Sequence, residues 1–189
     1  MAVAVTIGLT GNPEVDGLLS GDKWTGLVTY SFPTARYGDA TSTKYSFAPV
    51  TTSQQHAAID WALTEIQSFT NISLSNSGTS TSADIRFANS SVANPTSYAY
   101  YPDNSPDGSG GDVWIGTQYD YQHPTLGSYE WTTHIHEIGH AFGLKHPHET
   151  EGSFPKLALV HDDVEYSVMS YRSYVGQSLS GGGGYTNED

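Results

Sequence analysis

Three histidines and a glutamate recur at fixed spacing within residues 134–147, HIHEIGHAFGLKHP, which contain His136-Glu137-x-x-His140-x-x-Gly143-x-x-His146. On a helix, His136 and His140 stand one turn apart on the same face, so both imidazoles reach one metal ion. Gly143 offers what only glycine offers cheaply, a left-handed helix end that turns the chain sharply and returns His146 as a third ligand. Three neutral imidazoles leave one position open for water, the pattern of a catalytic rather than a structural zinc. A zinc ion so held lowers the pKa of that water to about 7. Glu137, next to the first ligand, is placed to take the water's proton and later hand it to a leaving amine. Bare HExxH is a moderate signal, whereas five fixed residues at these spacings are a strong one.

These side chains need a rigid carrier. Residues 128–142 read as a helix, with Ile135, Ile138 and Phe142 opposite the metal face as core anchors. His134 lies roughly 200° around that helix from His136, so it cannot share the metal and reads as a partly buried structural residue. A first helix is predicted over 51–69, capped by Thr52 or Ser53, with Ile59, Ala62, Leu63, Ile66 and Phe69 on one face. Strands are predicted at 27–32, 72–74, 84–88, 98–101 and 113–115, separated by Gly-, Ser-, Asn- and Pro-rich turns. The order implies an α+β domain, a twisted sheet against two helices with an irregular C-terminal part. Residues 180–184, which end in four glycines, are flexible by composition. No internal repeat is present.

Composition bounds the partners. The 189 residues suit one domain, and 37% apolar residues suffice for a core. A net charge of -13 repels phosphate backbones and anionic bilayers, which argues against nucleic-acid and membrane binding. The chain has no cysteine, so a metal must be held by His, Asp, Glu or Tyr. Residues 1–10 are apolar but lack the basic start and the length of a signal peptide, so any export signal is expected elsewhere.

With these residues in view, the pattern resembles the metzincin clan of zinc peptidases, and Pro147 after the third histidine resembles the serralysin family in particular. Ser167-Val168-Met169-Ser170-Tyr171 is similar to the methionine turn of that family. The resemblance implies Met169 as a floor beneath the imidazoles. It also implies Tyr171 as a zinc ligand at rest that swings away to stabilise the oxyanion. Asp16-Gly17-Leu18-Leu19-Ser20-Gly21 and Tyr30-Ser31-Phe32-Pro33, within 11–33, look like the start of serralysin catalytic domains. Segments 83–87 and 98–102 resemble the third and fourth strands of the metzincin sheet, which is mostly parallel with an antiparallel edge strand. That edge implies backbone pairing with an extended substrate at Ala99, Tyr100 and Tyr101. The pocket for the side chain after the scissile bond is expected near the segment before Met169.

The implied protein is a secreted zinc endopeptidase acting on protein or peptide substrates, a monomer with a proteinaceous inhibitor as a further partner. Its competitors are a zinc-binding peptide-capture module of the same fold and a structural domain without metal. Serralysins continue with a further helix and glycine-rich calcium-binding repeats, whereas this chain stops about twenty residues after Met169. The expectation is therefore one catalytic domain over residues 1–189, without that helix or those repeats, and calcium is not supported by this chain.

Other segments carry weaker metal-binding signals. Asp103-Asn104-Ser105-Pro106-Asp107-Gly108 begins like a calcium loop, but Trp114 stands at the twelfth position, where an acidic residue is required. A connection between strands explains it better. His148, Glu149, Glu151, His161, Asp162, Asp163 and Glu165 crowd the segment after the third ligand and read as solvated loop side chains. Asp112 and Asp120 have no partner legible in sequence.

Overall fold

A computed structural model describes residues 2–37, 46–106 and 108–179. Asp107 of the calcium-like loop and the glycine run at 180–184 lie outside the described residues. The main sheet contains β3 (Leu27–Ser31), β4 (Ala48–Pro49), β5 (Ser73–Asn76), β6 (Ile85–Asn89), β7 (Ser97–Ala99) and β8 (Val113–Ile115). Their order is β5-β3-β6-β8-β7. The first three neighbour pairs are parallel, and β7 joins the edge antiparallel to β8. β4 adds antiparallel to Ala88 and Asn89, beyond the point where β3 leaves β6.

Two long helices cover the sheet. The first, α2 (Ser53–Phe69), begins where the Thr52 side chain accepts a hydrogen bond from Gln55 N at 3.2 Å. The second, α3 (Tyr129–Ala141), begins where Ser128 does the same for Trp131 N, also at 3.2 Å. Val28, Ile85, Phe87, Val113 and Ile115 of the sheet pack with Ile59, Ala62 and Leu63 of α2 and with Ile138 and Ala141 of α3. β6 is buried at every position, as a central parallel strand must be when both faces are covered. Its other face meets Tyr37, Ala93 and Trp114.

An unpredicted unit precedes this layer. β1 (Val3–Thr6) and β2 (Asp22–Thr25) form an antiparallel pair, joined through the short helix α1 (Pro13–Asp16). The Trp24 indole donates to Ala141 O at 2.9 Å, which pins this pair to the end of α3.

The α+β class, the mostly parallel sheet, the antiparallel edge and the irregular C-terminal part are as the sequence implies. Several boundaries differ. The strand expected at 84–88 runs one residue later, because the Asp84 carboxylate accepts from Thr29 N at 2.8 Å and Thr29 Oγ1 at 2.6 Å. The strand expected at 72–74 extends to Asn76, following its register with Tyr30. The strand expected at 98–101 is Ser97–Ala99, although Tyr100 N to Asp112 O and Gly111 N to Tyr101 O carry the pairing slightly further. Phe69, expected in the core, is 74% exposed. Burial fades along α2 from Ile59 through Ile66, so the last turn has left the core.

Candidate metal centre and substrate cleft

The carrier helix ends as Gly143 requires. Its φ is +94°, and a Cβ at this position would overlap the Asp22 carbonyl oxygen. The turn is then clasped by the N-terminal segment. Ser20 N donates to Gly143 O and Lys145 N to Leu18 O, both at 2.8 Å, and Leu19 bridges Leu144. The fully buried Lys145 adds its Nζ, which donates to Gly17 O at 2.6 Å and to Glu149 O at 2.9 Å. Residue 146 is thereby returned to the helix face.

His136, His140 and His146 converge as the spacing predicts. Their Nε2 atoms lie 3.1 Å apart between His136 and His146, and 3.0 Å apart between His140 and His146. Each Nδ1 points away, to Val168 O at 2.8 Å, Leu144 O at 2.7 Å and Glu149 Oε2 at 3.0 Å respectively. Carbonyl oxygens only accept, so His136 and His140 carry their proton on Nδ1 and turn a bare Nε2 lone pair inward. The Glu149 carboxylate assigns His146 the same tautomer.

Burial holds all three imidazoles neutral. It pushes His146 down to about 3, with further contributions from His136, His148 and Lys145. It drives His140 well below its ordinary value, helped by His136 and His146, and it also lowers His136. Three convergent neutral lone pairs repel one another unless a cation stands between them. A zinc ion with Zn–N bonds of about 2.0–2.1 Å places its nitrogens about 3.3–3.4 Å apart in a tetrahedron, close to the separations here. The donor set therefore fits zinc.

Glu137 is buried beside this set, and its Oε2 has no hydrogen-bond partner. Burial raises its pKa to about 8. Met169 is fully buried under the helix. A Cβ on Gly139 would meet its sulfur at 2.5 Å, so the glycine inside the motif exists to admit the methionine. The same turn supplies Val168 O to His136. It also brings the Tyr171 ring to 4.3 Å from that of His146 and 5.6 Å from that of His136. A cavity of about 350 Å³ is lined together by Ala99, Tyr100, Tyr101, Glu137, His140, His146 and Tyr171, with Ser97 and Tyr98. Every residue assigned to chemistry or to substrate thus borders one space or stands directly behind it.

Other expectations change. Asp162 and Asp163 are buried, not solvated. Asp162 accepts from Ser170 Oγ at 2.6 Å and from Arg172 Nε at 2.9 Å, which braces the residues flanking Tyr171. Asp163 accepts from Glu165 N at 2.8 Å. His161 pairs with Glu14 at 2.7 Å. His146, His148 and Glu149 form a second close group, but its shortest link is the bond that orients His146. His134 is fully buried rather than partly so, with Nδ1 on Glu130 O at 2.7 Å, and burial lowers its pKa to about 4. Asp112 holds Arg86 with two bonds of 2.7 and 2.9 Å, and Asp120 pairs with His123 in solvent. In the calcium-like loop, Asn104 spends its amide on Ala4, accepting from N at 3.0 Å and donating to O at 2.7 Å.

Sequence reasoning missed Gly139 and Lys145, and it read Glu149 and Asp162 as solvated rather than as supports of His146 and of the turn at Tyr171. Only Gly139 carried a signal, as a helix-interior glycine that costs about 1 kcal/mol without a packing reason. The others depend on contacts across the fold.

The helix-borne pair of imidazoles, the third one returned by a glycine turn and the methionine beneath define a metzincin-type centre. Metalloprotease AprA of Pseudomonas entomophila (strain L48) is 29% identical over 83% of this chain and 35% of its own length. Serralysin of Proteus mirabilis is 30% identical over 76% of this chain and 33% of its own. The structure of myroilysin aligns with a TM-score of 0.45 at 22% identity, covering 67% of this chain and 52% of that one. No family model matches the chain. The chain is a serralysin-like metzincin catalytic domain, and it spans about a third of the length of these curated relatives.

Proposed function

We propose that this chain is a zinc-dependent endopeptidase that hydrolyses peptide bonds in extended protein segments. One observation carries the reading: a single cavity is bordered by His140 and His146 of the imidazole set, by the buried Glu137 whose Oε2 has no hydrogen-bond partner, by Tyr171 and by β7, the last strand of the sheet among the described residues. His136, His140 and His146 would hold zinc, with Tyr171 as the fourth ligand at rest. Bound there, zinc supplies Lewis acidity and makes a water acidic enough to attack a carbonyl at neutral pH.

An extended substrate adds to the edge beside β7, where Ala99, Tyr100 and Tyr101 fix its backbone over the imidazoles. Glu137 accepts the proton of the attacking water and returns it to the leaving amine. Its burial disfavours charge until a cation stands beside it, so the base form is generated where it is needed. The Tyr171 phenol donates to the carbonyl oxygen as negative charge develops there. Met169 touches no substrate and supports the imidazoles from below.

The same reading takes in protein substrates, an extracellular location, a monomeric state and a proteinaceous inhibitor, each supported by resemblance to the serralysins. Among the described residues no helix is long and apolar enough to cross a membrane. The test is casein cleavage by the purified chain at neutral pH, beside Glu137→Ala and a zinc chelator. Glu137→Ala should keep its zinc and lose about 10²–10⁴-fold in rate. Unmodified-level cleavage by that variant overturns the assignment. Zinc and peptide binding by the parent chain without any cleavage assigns the capture module instead.

A further inference from the structure

A second cavity of about 380 Å³ adjoins the catalytic one. It is lined by Ala4, Thr6 and Asp22 of the N-terminal strand pair and by Tyr100, Tyr101, Pro102, Asp103 and Asn104. Tyr100 and Tyr101 line both cavities, so the two are consecutive compartments of one cleft. Its far wall is held by Asn104, whose amide bonds both the N–H and the carbonyl of Ala4 as a neighbouring strand would.

The chemistry of this compartment is one-sided. Its only charged lining groups are the carboxylates of Asp22 and Asp103. Thr6 Oγ1 donates to Asp22 Oδ1 at 2.9 Å, which holds that carboxylate on the cavity's strand face. Neither aspartate is paired with Lys, Arg or His among the described residues. Lys23 alternates to the opposite face of β2 and is absent from the lining. Two carboxylates in a cavity that Tyr100, Tyr101 and Pro102 also line suit a cation on a long apolar stem, which can lay its methylenes along that wall and bring its charge to the acids.

We propose that this compartment is a specificity subsite for a lysine or arginine side chain of the substrate. The inference rests on the endopeptidase reading above. A segment added antiparallel to β7, the commoner pairing, has its amino-terminal part beyond the C-terminal end of that strand. The basic residue therefore lies on the amino side of the scissile bond.

The zinc-loaded chain is given peptides identical except at one position at a time, which carries arginine, its neutral isostere citrulline, or glutamate. Arginine at one position before the scissile bond should raise kcat/KM on the order of tenfold over citrulline. The ratio should shrink with salt and fall to near one in Asp22→Asn with Asp103→Asn. The single exposed-loop change Asp103→Lys should favour glutamate at that position, which guards against a double variant that folds poorly. A parent chain that cleaves without this preference overturns the subsite, as does a preference that survives both variants.

If the parent cleaves none of the peptides, the endopeptidase reading fails on its own. Fluorescence anisotropy of the same peptides on the zinc-loaded chain then decides the subsite. Tighter binding of arginine than citrulline, lost in the aspartate variants, upholds it. Equal binding overturns it.

Discussion

Of the three convergent imidazoles, His136 and His140 are oriented by backbone carbonyls that no substitution removes, while His146 depends on the Glu149 side chain. Glu149→Ala should therefore weaken zinc binding about 10–100-fold, measured by competition with a chelator, and Glu149→Gln should recover part of the loss because the amide oxygen still accepts. Equal affinity in all three forms would separate the carboxylate from the metal.

Acidity gives a second residue-scale prediction, for protein stripped of metal. Folded Glu137 keeps its proton up to about pH 8, whereas the unfolded chain releases it near 4.5. Between those values the folded state holds the extra proton, so stability falls as pH rises. His134 and His146 act oppositely. Unfolded, they charge below about 6.5, and folded they stay neutral down to about 4 and about 3. Stability thus falls as pH drops through that range, and the downward shifts of His136 and His140 add to it. Thermal unfolding of the chelated chain should peak near pH 6.5, and Glu137→Gln should flatten the alkaline side. A melting temperature independent of pH between 6.5 and 8 in the parent would contradict the burial of Glu137.

At the scale of elements, α3 and the methionine turn fit because one position lacks a side chain. Gly139→Ala puts a methyl group 2.5 Å from the Met169 sulfur and should destabilise the fold by about 1–3 kcal/mol, despite the better helix propensity of alanine. Pairing it with Met169→Ala should cost less than the sum of the two single changes, read by denaturant unfolding. The helix that carries His136 and His140 was legible in sequence to within a residue of each end, because Ser128 caps it and Gly143 stops it locally. β8 was legible because its three residues are all buried and apolar. The β1–β2 pair was not legible, since its four-residue strands lie fifteen residues apart and read only through Trp24 on Ala141 and Asn104 on Ala4. Buried charges such as Lys145 and Asp162 were hidden for the same reason. In sequence they look like surface residues, and only their distant carbonyl, hydroxyl and guanidinium partners make burial tolerable.

For the whole molecule, the convergent imidazoles couple metal to folding. Above its dissociation constant, each tenfold rise in free zinc should add about 1.4 kcal/mol of stability, visible as a steady climb of the melting temperature. His146→Ala should blunt that climb. The Lys145 contact to Gly17 spans 128 residues of sequence, and it secures the turn that carries His146. During synthesis, a chain whose N-terminal segment has not yet docked owns two helical imidazoles but no third. Capture of a metal by all three imidazoles is then a late event that reports completed assembly.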